Sequence, residues 1–169
     1  AARYNSTPKA GRRVVHRQLG ENARNAGSAA TGNLVNAAIT TWLFVGTIPR
    51  QYIVVFWLLL VGLIGWRMAI AKKIARVRLE IAALTALKRH LAANALGFGG
   101  LWGLAVAAMF GFGTQDQAIF AGIIGAGMMS AGAISYRTIE SAAMGYVLAC
   151  TPGAITGLMW RGAMQVAEN

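Results

Sequence analysis

Five stretches of about 20 mostly apolar residues run through this chain, each long enough as a helix to cross the roughly 30 Å hydrocarbon core of a bilayer. They fall at about residues 29–48, 52–71, 91–112, 117–135 and 141–160. Only 12% of the 169 residues are charged, about half the share of a soluble domain. The fold class this implies is all-α, a polytopic membrane helix bundle of five transmembrane helices. If all five cross, an odd number of spans puts residues 1 and 169 on opposite faces of the membrane.

The stretches are unequal. The first is the least apolar, with Asn33, Asn36, Thr40 and Thr41 in its first two-thirds. Pro49 closes it, because proline cannot continue the helical hydrogen-bond ladder and pushes the residue before it out of helical geometry. The second is unbroken from Ile53 to Val61. Residues 1–28 form a polar, basic leader with at most a short helix around Arg12 to Leu19. Residues 29–160 form the membrane bundle, and residues 161–169 a polar stub. Within the bundle, residues 67–89 combine seven basic side chains with apolar residues at Ile70, Ile74, Val77, Ile81 and Leu84. Steps of four and three make a helical seam. The segment therefore reads as the second span continuing beyond the membrane as an amphipathic cytoplasmic helix, then turning back.

Charge sets an expected orientation. The leader holds six Lys and Arg, the 67–89 segment seven, and the link before the last span Arg137; the opposite side holds Arg50 and Arg161. Fourteen against two predicts a cytoplasmic N-terminus by the positive-inside rule. The net charge of +11 is explained by this placement, and no nucleic-acid motif accompanies it. Arg67, Lys72, Lys73, Arg76 and Arg78 are expected to contact anionic inner-leaflet lipids, each contributing about 1 kcal/mol near the surface. The alternative for this helix is pairing with a second copy through its apolar seam.

Small residues recur at four-residue spacing, which keeps them on one helix face. The third stretch has Gly99, Gly103, Ala107 and Gly111; the fourth Gly122, Ala126 and Ser130; the fifth Gly145, Ala149, Gly153 and Gly157. Such faces let helix backbones approach closely in lipid, so the last three spans are expected to pack tightly. Grooves of this kind also admit a lipid, quinone or pigment, and no cofactor is specified. Pro152 is expected to kink the fifth span and free a carbonyl, with Thr151 and Thr156 placed to satisfy it.

Chemistry-bearing patterns are sparse. No ionisable residue falls in mid-span, where it would mark a transport path. His16, His90 and Cys150 have no metal-ligand spacing, and no phosphate loop, nucleophile with base or carboxylate pair is present. No catalytic or metal residue is assigned. Asn94, one turn into the third span, is expected to bond another helix.

The order of features resembles the N-terminal membrane region of bacterial diguanylate cyclases, cyclic-di-GMP phosphodiesterases and related sensor kinases. The likeness is carried by the Ile48-Pro49 hairpin and a second span running into basic Arg67 to Arg78. It is carried also by Gly100-Leu-Trp-Gly-Leu104, and by the Ala121 to Ala133 run followed by a proline-bearing fifth span. The resemblance implies a sensory or anchoring module in the bacterial inner membrane that works by helix repacking. In that family a sixth span and a catalytic domain follow; no Gly-Gly-Asp-Glu-Phe or Glu-Ala-Leu stretch occurs here, so no catalytic residue is carried over. Expected partners are copies of the chain or other membrane subunits. The competing expectation is a structural accessory subunit of a photosynthetic or respiratory membrane complex.

Overall fold

A computed structural model describes residues 8–76 and 81–168 as six helices: α1 (Pro8–Arg24), α2 (Ala26–Phe44), α3 (Arg50–Arg76), α4 (Ile81–Phe112), α5 (Gln115–Tyr136) and α6 (Glu140–Glu168). The protein is all-α. Four helices are long and apolar enough to cross a membrane: α3, α4 from Ala82, α5, and α6 to Met164. The fifth expected span, α2, is not among them. It is a helix of 19 residues, about 28 Å long at 1.5 Å per residue. Its two asparagines and its threonines hold its apolarity below that of the others.

Each turn has a local cause. Between α2 and α3 the chain reverses over five residues. Gly46 adopts φ +95°, a conformation costly for any residue with a Cβ, and the Thr47 and Ile48 amides both donate to the Phe44 carbonyl. Thr114 opens α5 with a capping box: its hydroxyl accepts from the Gln117 amide at 3.3 Å, and Gln117 Oε1 accepts from the Thr114 amide at 2.8 Å. This satisfies two backbone donors that a helix start leaves unpaired.

The centre of the bundle is α4. Half of its most apolar window is buried, against 22% for α5 and for α6. Its most extensive contact is with α6, followed by α5 and α3. On the outside, Leu58, Val61, Ile119, Ile123, Leu148 and Leu158 are all more than half exposed. So continuous an apolar surface is a liability in water and ordinary against lipid tails.

The basic leader is more ordered than its composition suggests. α1 covers Pro8–Arg24 and lays Val15, Leu19 and Ala23 against the main core, a four-residue spacing that selects one face. Asn22, also buried, donates to the Ser135 carbonyl at 3.0 Å. Of the 67–89 segment, the described residues up to Arg76 belong to α3 and those from Ile81 to α4, and residues 77–80 lie outside the described residues. Ile70, Ile74 and Leu84 are buried as the seam requires; Val77 and Arg78 lie outside the described residues. The basic ends of α3 and α4, helix α1 and the α5–α6 link are gathered at one end of the bundle.

Candidate functional site

The seam between α4 and α6 is closed by glycine. A Cβ on Gly99 would overlap the Tyr146 carbonyl, one on Gly103 would come within 2.8 Å of the Cys150 carbonyl oxygen, and one on Gly153 would overlap the backbone of Gly103. At Gly157 a Cβ would meet Ala107 Cα at 2.8 Å, and at Gly111 the Trp160 ring at 2.8 Å. At Gly99, Gly103, Gly153 and Gly157 the neighbour is backbone, which cannot step aside for a larger residue; at Gly111 it is the Trp160 side chain. Gly145 is looser, with Leu96 at 3.4 Å, and Ala149 is half-buried along the same seam. Helix α6 runs through Pro152 with no interruption. Thr151 and Thr156 donate to the carbonyls of Val147 and Pro152, and not to that of Leu148, the one the proline releases.

Helix α5 presents a different face from the one its small residues outline. Gly122, Ala126 and Ser130 face outward: a Cβ at Gly122 meets nothing within 4 Å, the other two are exposed, and the Ser130 hydroxyl bonds back to Ala126. The packed face is Ala121, Gly125, Met128 and Gly132. Gly132 leaves the space taken by the Tyr146 ring.

Against this closed seam stands an open region beneath α2. A cavity of about 430 Å³ is lined by residues of α2, α3, α4, α5 and α6, among them Asn33, Asn36, Arg67, Met128, Tyr136 and Tyr146. Among the described residues no Asp or Glu lines it, and Arg137 stands with Arg67 in its wall. Arg67 is 4% exposed. Its position follows from its register: Leu60, Arg67, Ile70 and Ile74 form the buried face of α3. It therefore lies inside the bundle, whereas Lys72, Lys73 and Arg76 are exposed, as lipid contact requires.

The surroundings of Arg67 only partly meet its needs. Nη2 donates to the Ser135 carbonyl at 3.4 Å, a long bond, and the guanidinium carbon lies 4.3 Å from the centroid of the Tyr136 ring, within cation–π range. Ser135 belongs to the last turn of α5, where free carbonyls give partial negative charge. Nε has no hydrogen-bond partner, and among the described residues no carboxylate pairs with Arg67. Tyr136 in turn donates to Asn94 Oδ1 at 2.9 Å, and Asn94 donates to the Leu63 carbonyl at 3.1 Å. Asn94 thus joins α3, α4 and α5. The Tyr146 hydroxyl, in a residue 2% exposed, has no partner.

Helix α2 itself is held by a few polar contacts. Trp102 donates to Asn33 Oδ1 and Trp57 to the Thr41 hydroxyl, both at 2.9 Å, and Gln117 donates to the Leu43 carbonyl at 2.7 Å. Asn36 spends an N–H on the sulfur of Met128 at 3.2 Å, a weak acceptor. Further along α2, an apolar groove of about 150 Å³ opens between α2, α3 and α4, with the buried Thr40 hydroxyl unpartnered at its wall.

The sequence reading assigned none of these cavity roles. Arg67 carried a detectable signal, since it continues the Ile70–Ile74 seam backwards by three. Tyr136 and Tyr146 carried none, because nothing in their spacing pairs them. His90 is exposed beside Trp66, and no cluster of three metal-ligating side chains occurs among the described residues. Compared with known proteins, the chain matches no protein-family model, no curated protein and no solved structure.

Proposed function

We propose that this chain is a non-catalytic, integral-membrane sensory or anchoring region of a bacterial signalling protein of the cyclic-di-GMP type. In this reading it sits in the inner membrane with its N-terminus cytoplasmic, and α2 completes a set of five crossing helices. The observation that carries the reading is the buried, carboxylate-free Arg67 in the wall of a cavity under α2, the least tightly packed long helix. In this reading α2 moves against a fixed α4–α6 pair, which gives the bundle two packings. An input shifts such an equilibrium only by its unequal affinity for the two. The exposed basic ends of α3 and α4 are read as contacts to anionic inner-leaflet lipids, and the exposed apolar faces as surfaces for lipid or for further copies.

The experiment is a distance measurement in nanodiscs. Spin labels at exposed Ala38 on α2 and Leu104 on α4, in a Cys150→Ser background, should give a bimodal distance distribution. A label pair on α4 and α6 should give a single narrow one. One narrow distance for both pairs, with stoichiometric copurification of other membrane subunits, would replace the sensory reading with that of an accessory subunit. Topology is checked separately with an impermeant maleimide. Cysteines at Gly27 and Thr47 should react from opposite sides of the membrane, and labelling from one side removes α2 from the set of crossing helices.

A further inference from the structure

We infer that the cavity under α2 binds the oxyanion group, carboxylate or phosphate, of a small molecule or lipid, with Arg67 as its charge partner and Tyr146 as a hydroxyl donor. The inference deepens the sensory reading and rests on it.

Four observations converge on an anion. Arg67 and Tyr146 line the same cavity, both are more than nine-tenths buried, and each keeps an unpartnered polar atom, Nε in one and Oη in the other. A guanidinium has five donors in a planar fork shaped for a carboxylate or phosphate. Here its partners are one carbonyl at 3.4 Å and the Tyr136 side chain, and Nε has none. Second, among the described residues the lining contains two arginines and no acid, a charge balance that favours an anion. Third, Asn36 holds its amide N–H against a thioether, an arrangement that a stronger acceptor entering the cavity would displace. Fourth, about 430 Å³ lies within the range of small-molecule sites.

A purely structural Arg67 would look different, and Arg161 supplies the contrast. It donates to the carbonyls of Phe110 and Gly113 at 3.3 and 3.0 Å and to Gln115 Oε1 at 2.6 Å. Three acceptors close the end of α4 around it. Around Arg67 the Tyr136 ring and the Ser135 carbonyl fill part of that volume, and the cavity takes the rest.

The test uses the full chain in nonionic detergent and in nanodiscs, with ionic strength held constant by chloride. Inorganic phosphate and acetate are the free-anion probes; phosphatidylglycerol against phosphatidylcholine is the headgroup probe. Thermal midpoint and binding isotherm are read for each. A saturable rise in midpoint is expected with one probe set: with the free anions if the ligand is a solute, with phosphatidylglycerol alone if it is a lipid headgroup. Arg67→Gln should abolish saturation. Tyr146→Phe should weaken binding about fivefold while leaving the ligand-free midpoint unchanged or higher, because it removes an unpaired buried hydroxyl. If Arg67→Gln does not fold, Tyr146→Phe decides alone.

No saturable response to either probe set, or Tyr146→Phe binding as tightly as the wild type, overturns the inference. The two readings fail separately. A bimodal α2–α4 distance with no anion response leaves the sensory module without this ligand. Saturable binding with a single, unmoved α2 distance keeps the site and removes the sensory role.

Discussion

The α4–α6 seam and the α2 side of the bundle are built from opposite materials. In the seam, glycine removes side chains so that one backbone lies on the other, and the contact is dispersion at close range. Across from it, α2 is held by four polar side-chain contacts to α3, α4 and α5 and by the buried Ala37 and Phe44, and lies over a polar cavity and an apolar groove. The first arrangement has one solution and tolerates no added atom. The second has slack. A helical membrane protein needs the first kind of contact to have a fixed frame, and the second kind if any part is to move against it.

The largest expected effect is on the frame. Gly153→Leu places a side chain into the Gly103 backbone, which cannot step aside, and should cost about 3 kcal/mol or more by the overpacking scale. Denaturant unfolding in detergent checks it. Gly122→Leu, on the outward face of α5, is the control and should stay within about 0.5 kcal/mol of the wild type. Equal losses for both would dissolve the distinction between seam and surface.

Next come the polar links. Tyr136→Phe strands the Asn94 carbonyl oxygen in a buried position and should destabilise by about 1–3 kcal/mol, read as a lowered thermal midpoint. The effect should exceed that of Arg161→Gln, which loosens the partly exposed end of α4 and should cost about 0.3–1 kcal/mol. If the order is reversed, the region around the cavity is less dependent on its hydrogen bonds than the geometry indicates.

The smallest effect has the opposite sign. Thr40 carries a buried hydroxyl without a partner, and Thr40→Val replaces it with a methyl group of nearly the same shape. Stability should rise, by about 1 kcal/mol or less. A loss instead would mean that α2 is packed as closely as the seam.

How much of this was legible in the sequence depended on whether a pattern had one possible face. Gly99, Gly103, Gly153 and Gly157 sit where four-residue spacing puts them, because the alternative faces of α4 and α6 carry large residues. In α5 the spacing was ambiguous: Ala121, Gly125 and Gly132 compete with Gly122, Ala126 and Ser130, and Tyr146 decides by needing the room at Gly132. That decision is made by a different helix and is invisible in the α5 segment. Arg67 was misplaced for a related reason. Grouped with its basic neighbours it reads as surface, but its register reads as core, and register prevails because Ile70 and Ile74 fix the rotation of α3. Helix α2 is expected as a fifth span and is not among the four helices long and apolar enough to cross. Asn33, a liability for a lone span, becomes an acceptor for Trp102 once α4 is beside it. The leader looked shapeless because its apolar positions are few, yet Leu19 and Asn22 suffice to dock it.

Helix α2 is also tethered at both ends with almost no spare chain. Asn25 alone separates it from α1, in near-helical geometry, and the hydrogen bonds from the Asn25 amide to Glu21 and from the Ala29 amide to Asn25 carry the ladder across the joint. At the far end five residues, tightened by Gly46, return the chain into α3. Sliding along the bundle axis is therefore blocked, and so is departure from it; what remains is roll about its own axis and a small tilt. A roll of α2 would turn α1 with it through that joint, and α1 donates to the same Ser135 carbonyl that Arg67 holds. One carbonyl at the end of α5 therefore receives both the leader helix and the cavity arginine.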